Sequence, residues 1–149
     1  MIQLDFLPEE TMGHDRGPRG KMNFETADLY DLTSEAFRAP VTFAVDGADY
    51  SGQFPVLDVA LGLLEASNEL DSQKRTRYCV ADAGIDFHFE RKGNLVTVRM
   101  GRGPKGTVDY EEFCTAAQVF IKKTLRELPK RFPGLSKNPE VQALRRRYL

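Results

Sequence analysis

Hydrophobic and polar residues alternate in four stretches of the chain, and hydrophobic residues recur at helical spacing in three others. Ile2, Leu4 and Phe6 share one side of a strand that Pro8 ends. Val41, Phe43 and Val45 alternate with Thr42 and Ala44, and Asp46-Gly47 then supplies a two-residue turn that tolerates positive φ. With a return strand over residues 48–51 this reads as a hairpin. A second meander covers residues 77–81, 85–91 and 95–100, joined by Asp82-Ala83-Gly84 and Lys92-Gly93-Asn94. Strand side chains point alternately to opposite faces, so Ile85, Phe87 and Phe89 belong inside with Val96 and Val98. Asp86, His88 and Glu90 then face solvent or a partner.

Phe54, Leu57, Ala60/Leu61 and Leu64 fall at helical spacing behind Pro55, which suits a first turn, and that helix ends near residues 68–71. Leu61 is expected in the core with Phe43, Phe87, Phe89 and Val98. Asp109-Tyr110-Glu111-Glu112 has the form of a capping box. The helix it opens carries Phe113, Ala116, Ala117, Phe120, Thr124 and Leu128 on one stripe, and Pro129 marks its end. Asn138-Pro139 caps a last short helix with Val141, Leu144 and Tyr148 along its apolar edge. Residues 9–23 are polar with three Gly and one Pro, and read as a mobile loop. Residues 24–38 fit a strand or a short helix, and 101–107 read as a loop. The expected fold is α+β, a single domain over 1–149. Its antiparallel sheet of about five or six strands, in two hairpin-like blocks, packs against two or three helices.

Composition supports a folded chain. Its 149 residues are 41% hydrophobic, with ten Phe and five Tyr, enough to bury a core of ordinary size. No run approaches the roughly 20 apolar residues of a membrane helix, and the N-terminus lacks a signal-peptide pattern. Two cysteines, Cys79 and Cys114, allow at most one disulfide and read as buried small hydrophobes, so a reducing, cytoplasmic setting is expected.

Charge is segregated along the chain. Residues 1–71 hold 14 acidic and 4 basic side chains, whereas residues 121–149 hold 9 basic and 2 acidic. Such asymmetry builds oppositely charged faces that steer a partner, unless the segments interleave in space.

Catalytic and cofactor chemistry finds little support. Gly101-Arg-Gly103-Pro-Lys-Gly106 matches G-x-G-x-x-G, but Pro104 removes a donor, Asp109 would repel phosphate at the helix start, and no strand follows that helix. Gly20-Lys21 lacks the spacing of a phosphate-binding loop, and Met22 stands where Ser or Thr would hold magnesium. Asp86, His88 and Glu90 are potential ligands on one strand face, but the outer pair stands about 13 Å apart. The only other histidine is His14. Neither a metal nor a cofactor is expected. The basic residues Lys122, Lys123, Arg126, Lys130, Arg131 and Arg145–Arg147 lie around helices, and no nucleic-acid recognition motif accompanies them. A small enzyme using carboxylates near Asp82, Asp86 and Glu90, or a nucleic-acid or regulatory protein using the basic C-terminal segment, stand as alternatives.

Residues 54–64, 82–91 and 108–113 with the following amphipathic helix carry a resemblance. Across residues 40–148 the chain resembles small, largely uncharacterised actinobacterial-type α+β proteins, some of them similar to the immunity proteins of bacterial toxin systems. The resemblance implies a stoichiometric inhibitor that binds one toxin, and it carries no functional residue with it. The residues themselves point the same way, to a non-catalytic binding module whose acidic half meets a basic protein partner. Candidate partner-binding residues are Asp46, Asp49, Glu65, Glu69 and Asp71 near the hairpin and helix ends, with Asp86, His88 and Glu90 on the strand face.

Overall fold

The computed structural model describes residues 1–13, 22–81 and 84–149. Along them run β1 (Ile2–Phe6), α1 (Leu29–Ser34), β2 (Arg38–Val45), β3 (Ala48–Asp49), β4 (Gly52–Pro55) and α2 (Val56–Glu69). Then come β5 (Arg75–Cys79), β6 (Asp86–Lys92), β7 (Leu95–Met100), β8 (Lys105–Asp109), α3 (Tyr110–Arg131) and α4 (Pro139–Tyr148). Short 3-10 turns occupy Pro8–Glu10 and Pro133–Lys137.

The class is α+β with antiparallel pairing, as the hydrophobic pattern implies, but the strands of the described residues form two four-stranded sheets rather than one of five or six. Four α-helices, not two or three, accompany them among the described residues. In the first sheet the long β2 pairs with β1 on one side and with β3 and β4 on the other. Asp46 (φ 48°) and Gly47 (φ 90°) make the expected tight turn between β2 and β3. The second sheet is the meander β5-β6-β7-β8.

The eighth strand corrects the reading of residues 101–107 as a loop. β8 has only Gly106 and Val108 facing inward, too short a pattern to register as periodic, and its pairing with β7 defines it (Val96 opposite Val108, Val98 opposite Gly106). Residues 24–38 resolve into α1 and the start of β2, with the Asp28 side chain accepting the Asp31 N–H at 2.8 Å. Of the expected 9–23 loop, residues 14–21 lie outside the described residues.

A single buried cluster joins both sheets to the helices. Phe87 on β6 has ring contacts with Phe43, Tyr50 and Phe54 from the first sheet's segment, and stacks on Tyr78 of β5 at 6.1 Å. Phe89 meets Phe113 of α3 at 5.4 Å, and Phe6 of β1 meets Phe120 at 5.7 Å. The stripe read for α2 is wider than expected. Leu63 and Leu64 are buried with Val56, Leu57, Val59 and Ala60, whereas Leu61 is half-buried at the rim.

Two other local readings are corrected. Asp109 precedes α3 but makes no side-chain capping bond, and Glu112 instead accepts the Ile2 N–H at 3.1 Å. Farther along the helix, Lys123 donates to the Phe6 carbonyl at 2.9 Å and pairs with Asp5. α3 thereby covers both ends of the β1 edge, whose free backbone groups would otherwise invite another strand. Pro129 does not end α3 but lies inside it, two residues before the helix closes at Arg131.

Candidate docking faces

Each sheet turns one face to the core and leaves the other open. On the second sheet Tyr78, Phe87, Phe89, Val96, Val98 and Val108 are buried. Strand alternation therefore sends Arg77, His88, Arg99 and Lys105 to the opposite side. Their register is direct: Arg77 pairs with His88, His88 with Arg99, and Arg99 with Lys105. Four adjacent strands thus carry one basic row about 14 Å across, from interstrand spacings of about 4.8 Å. Among the described residues no carboxylate lies within ion-pair distance of Arg77, Arg99 or Lys105.

Acidic groups flank this row on the same face. In the neighbouring row Arg75 pairs with Glu90, Glu90 with Thr97 and Thr97 with Thr107. Glu90 stands 3.6 Å from Arg75 and 3.5 Å from Lys92. On the other flank Asp86 is opposite Cys79. The Asp86 carboxylate, hydrogen-bonded to the Cys79 thiol, pushes that thiol above its ordinary range, and nearby Arg77 works the other way.

On the first sheet, Gln3, Thr42, Asp49 and Ser51 are exposed, and with Met1, Ala44, Asp46 and Gly47 they surround a shallow hollow of about 370 Å³. Asp49 accepts the Ser51 N–H at 2.9 Å. Bonds from the Ser51 side chain and backbone hold its carboxyl below the usual range.

The eight candidate residues therefore fall into separate places. Asp46 and Asp49 line the first-sheet hollow. Glu65 is exposed on α2, and Glu69 near the end of that helix accepts a hydrogen bond from Thr76 on β5. Asp71 and Glu90 line one groove with Lys74, Arg75, Arg91 and Lys92. Asp86 and His88 lie on the second sheet's open face beside Arg77 and Arg99. Asp82 and His14 lie outside the described residues. Asp86 and Glu90 share a strand and diverge by about 13 Å, which does not converge them on one reacting atom.

The acidic first half interleaves with the basic C-terminal third. Asp5 pairs with Lys123, and Glu25 with Lys137 at 3.7 Å. Asp58 turns inward on α2, accepting hydrogen bonds from the Tyr78 hydroxyl and, at 3.0 Å, from the Ala81 N–H. Burial and this carboxylate together raise the Tyr78 hydroxyl far above its ordinary range.

Both cysteines are free, and their expected burial is corrected: Cys79 is exposed and Cys114 is half-buried. Their short apolar sequence neighbours gave no hint, because Cys79 takes the outward phase of β5. In the glycine-rich stretch 101–106, residues 101–104 form the turn between β7 and β8, with Gly101 at φ 57°, and Lys105 and Gly106 open β8, so the stretch lacks the strand-to-helix geometry of a dinucleotide site.

Sequence reasoning missed Arg77, Arg99 and Lys105. Their strand phase was readable for β5 and β7, but the row exists only through interstrand register. Among the described residues no group of three or more His, Cys, Asp or Glu side chains is placed to hold a metal ion, and no helix is long and apolar enough to cross a membrane. Compared with known proteins, the chain matches no family model, no curated protein sequence and no solved structure.

Proposed function

We propose that this protein is a non-catalytic binding module of the immunity type, a stoichiometric inhibitor that holds a basic protein domain against the open face of its first sheet. The observation that carries the reading is the hollow bordered by Asp46 and Asp49. Asp46 projects from the tight β2–β3 turn and Asp49 from β3 beside it, and the neighbouring β2 is anchored by Phe43 and Val45 in the core. Charges held on a rigid scaffold need little ordering on association, and exposed carboxylates accelerate encounter with a cationic surface. The resemblance to toxin-system immunity proteins supports the same class. Glu65, Glu69 and Asp71 extend the acidic character along α2 and serve the encounter rather than the contact.

The test is capture of partners from lysate of the native host on immobilised wild-type protein and on Asp46→Asn/Asp49→Asn. A one-to-one complex with a basic protein is expected, whose association slows with salt and in the double variant while dissociation changes less. A captured protein that the double variant retains at an unchanged association rate would defeat this assignment of the face.

A further inference from the structure

The strongest unassigned surface is the outer face of the second sheet. We propose that it docks a carboxylate-rich protein segment in extended conformation, laid along the row Arg77–His88–Arg99–Lys105. This surface is separate from the first-sheet hollow and does not depend on that hollow's role.

Three features favour such an occupant. The first is charge in a fixed geometry. Arg77, Arg99 and Lys105 lack carboxylate partners among the described residues, while β6 and β7 beneath them are pinned by buried Phe87, Phe89, Val96 and Val98. Guanidinium groups pair with carboxylates through two parallel hydrogen bonds, and a rigid base keeps the ordering cost low.

Spacing is the second feature. An extended chain places side chains of one face about 6.7 Å apart, so three alternate carboxylates span about 13 Å. The row spans about 14 Å by the same strand geometry.

The third is what borders the row. Asp86 lies on one flank and Glu90, held by Arg75 and Lys92, on the other, so the positive surface is a stripe rather than a broad field. A nucleic-acid backbone favours a wide basic groove with aromatic side chains for stacking bases. The outward residues of these strands include no Phe, Tyr or Trp, and His88 is the single ring among them, while their carboxylates would oppose phosphates on either side. A segment with Asp or Glu at alternate positions fits between the flanks.

The experiment measures fluorescence anisotropy of a labelled peptide of alternating Glu and Thr, titrated with the full chain at low salt, beside a single-stranded oligonucleotide of similar length. Saturable peptide binding is expected, weakened about tenfold by Arg77→Gln and by Arg99→Gln, as loss of a charge-assisted pair implies. Glu90→Gln should tighten binding by removing a repulsive flank, a result that a misfolded variant would not give. Asp46→Asn/Asp49→Asn should leave peptide affinity unchanged, which separates this surface from the first-sheet reading. Unfolding midpoints of the variants check that the fold persists. Absence of peptide binding would overturn the proposal. So would equal affinity in the arginine variants, tighter binding of the oligonucleotide, or a loss that follows Lys122→Gln/Arg146→Gln instead.

Discussion

Gly106 of β8 lies so close to Val45 of β2 that a Cβ at Gly106 would stand 2.1 Å from the Val45 carbonyl oxygen. At this point the two sheets meet. Close by, the Tyr50 hydroxyl lies 2.7 Å from the Val98 carbonyl and 2.9 Å from that of Pro104, tying the first sheet's segment to β7 and the turn before β8. Because the obstacle is backbone, it cannot swing aside. Gly106→Ala is expected to cost about 3 kcal/mol or more, read from the urea midpoint at constant slope. Gly134→Ala serves as the control: its Cβ would meet nothing nearer than 3.4 Å, so a change within about 0.5 kcal/mol is expected.

Gly62 and Tyr78 form a second close approach, with a Cβ on Gly62 falling 2.2 Å from the tyrosine ring. Alanine favours a helix over glycine by about 1 kcal/mol, yet here it must displace a buried ring from Phe87 and Asp58. Net destabilisation of about 1–3 kcal/mol is expected for Gly62→Ala. In a double-mutant cycle, Tyr78→Leu should cost less in the Gly62→Ala background than in wild type.

Phe87, 1% exposed, joins aromatic residues from both sheets. Phe87→Ala should cost about 3–5 kcal/mol, the usual range for a core aromatic. A thermal midpoint equal to wild type would contradict the packing of β6 described above.

Asn138 is fully buried and divides its amide between two jobs. Its oxygen accepts the Glu140 N–H at 2.9 Å and caps α4, while its nitrogen donates to the Phe24 and Ala27 carbonyls at 2.8 Å each. Asn138→Ala should therefore cost more than a surface cap, about 3 kcal/mol, because two half-buried carbonyls also lose their donor. Asn138→Asp keeps the cap and discards the donors, so its denaturation midpoint should also fall clearly below wild type.

Cys79 is an exposed thiol whose acidity Asp86 governs. A carboxylate that accepts the S–H bond favours the neutral thiol and repels the thiolate, so it raises the pKa. Asp86→Asn removes both effects, leaving Arg77 to favour the thiolate. Alkylation by iodoacetamide at mildly basic pH should therefore speed up, with its pH profile displaced to lower pH. An unchanged profile would show that Asp86 does not control the thiol.

Elements with strong local signals were legible from residue order. The alternation of Phe87 and Phe89, the Asp46-Gly47 turn and the Asn138 cap each depend on neighbours within a few positions, where backbone geometry and burial act directly. β8 was not legible, because two inward residues, one of them glycine, carry no periodic signal. Nor was the turn of Glu112 to Ile2, 110 positions away, instead of to its own helix start. The candidate site divided in the same manner. The exposure of Asp46 in the turn and of Asp49 on the β3 beside it follows from local turn chemistry, whereas the charged company of His88 depended on which residues of β5, β7 and β8 stand opposite.

Hydrophobic period, turn chemistry and caps thus determine which segments become strands and helices, since each is a local preference of the chain. Register between distant strands decides the rest. It aligns Arg77, His88, Arg99 and Lys105 into one row, sets Gly106 against Val45, and splits the strands into two sheets. Local propensity cannot encode those outcomes, because their energies arise only when residues far apart in the chain compete for the same space and charge.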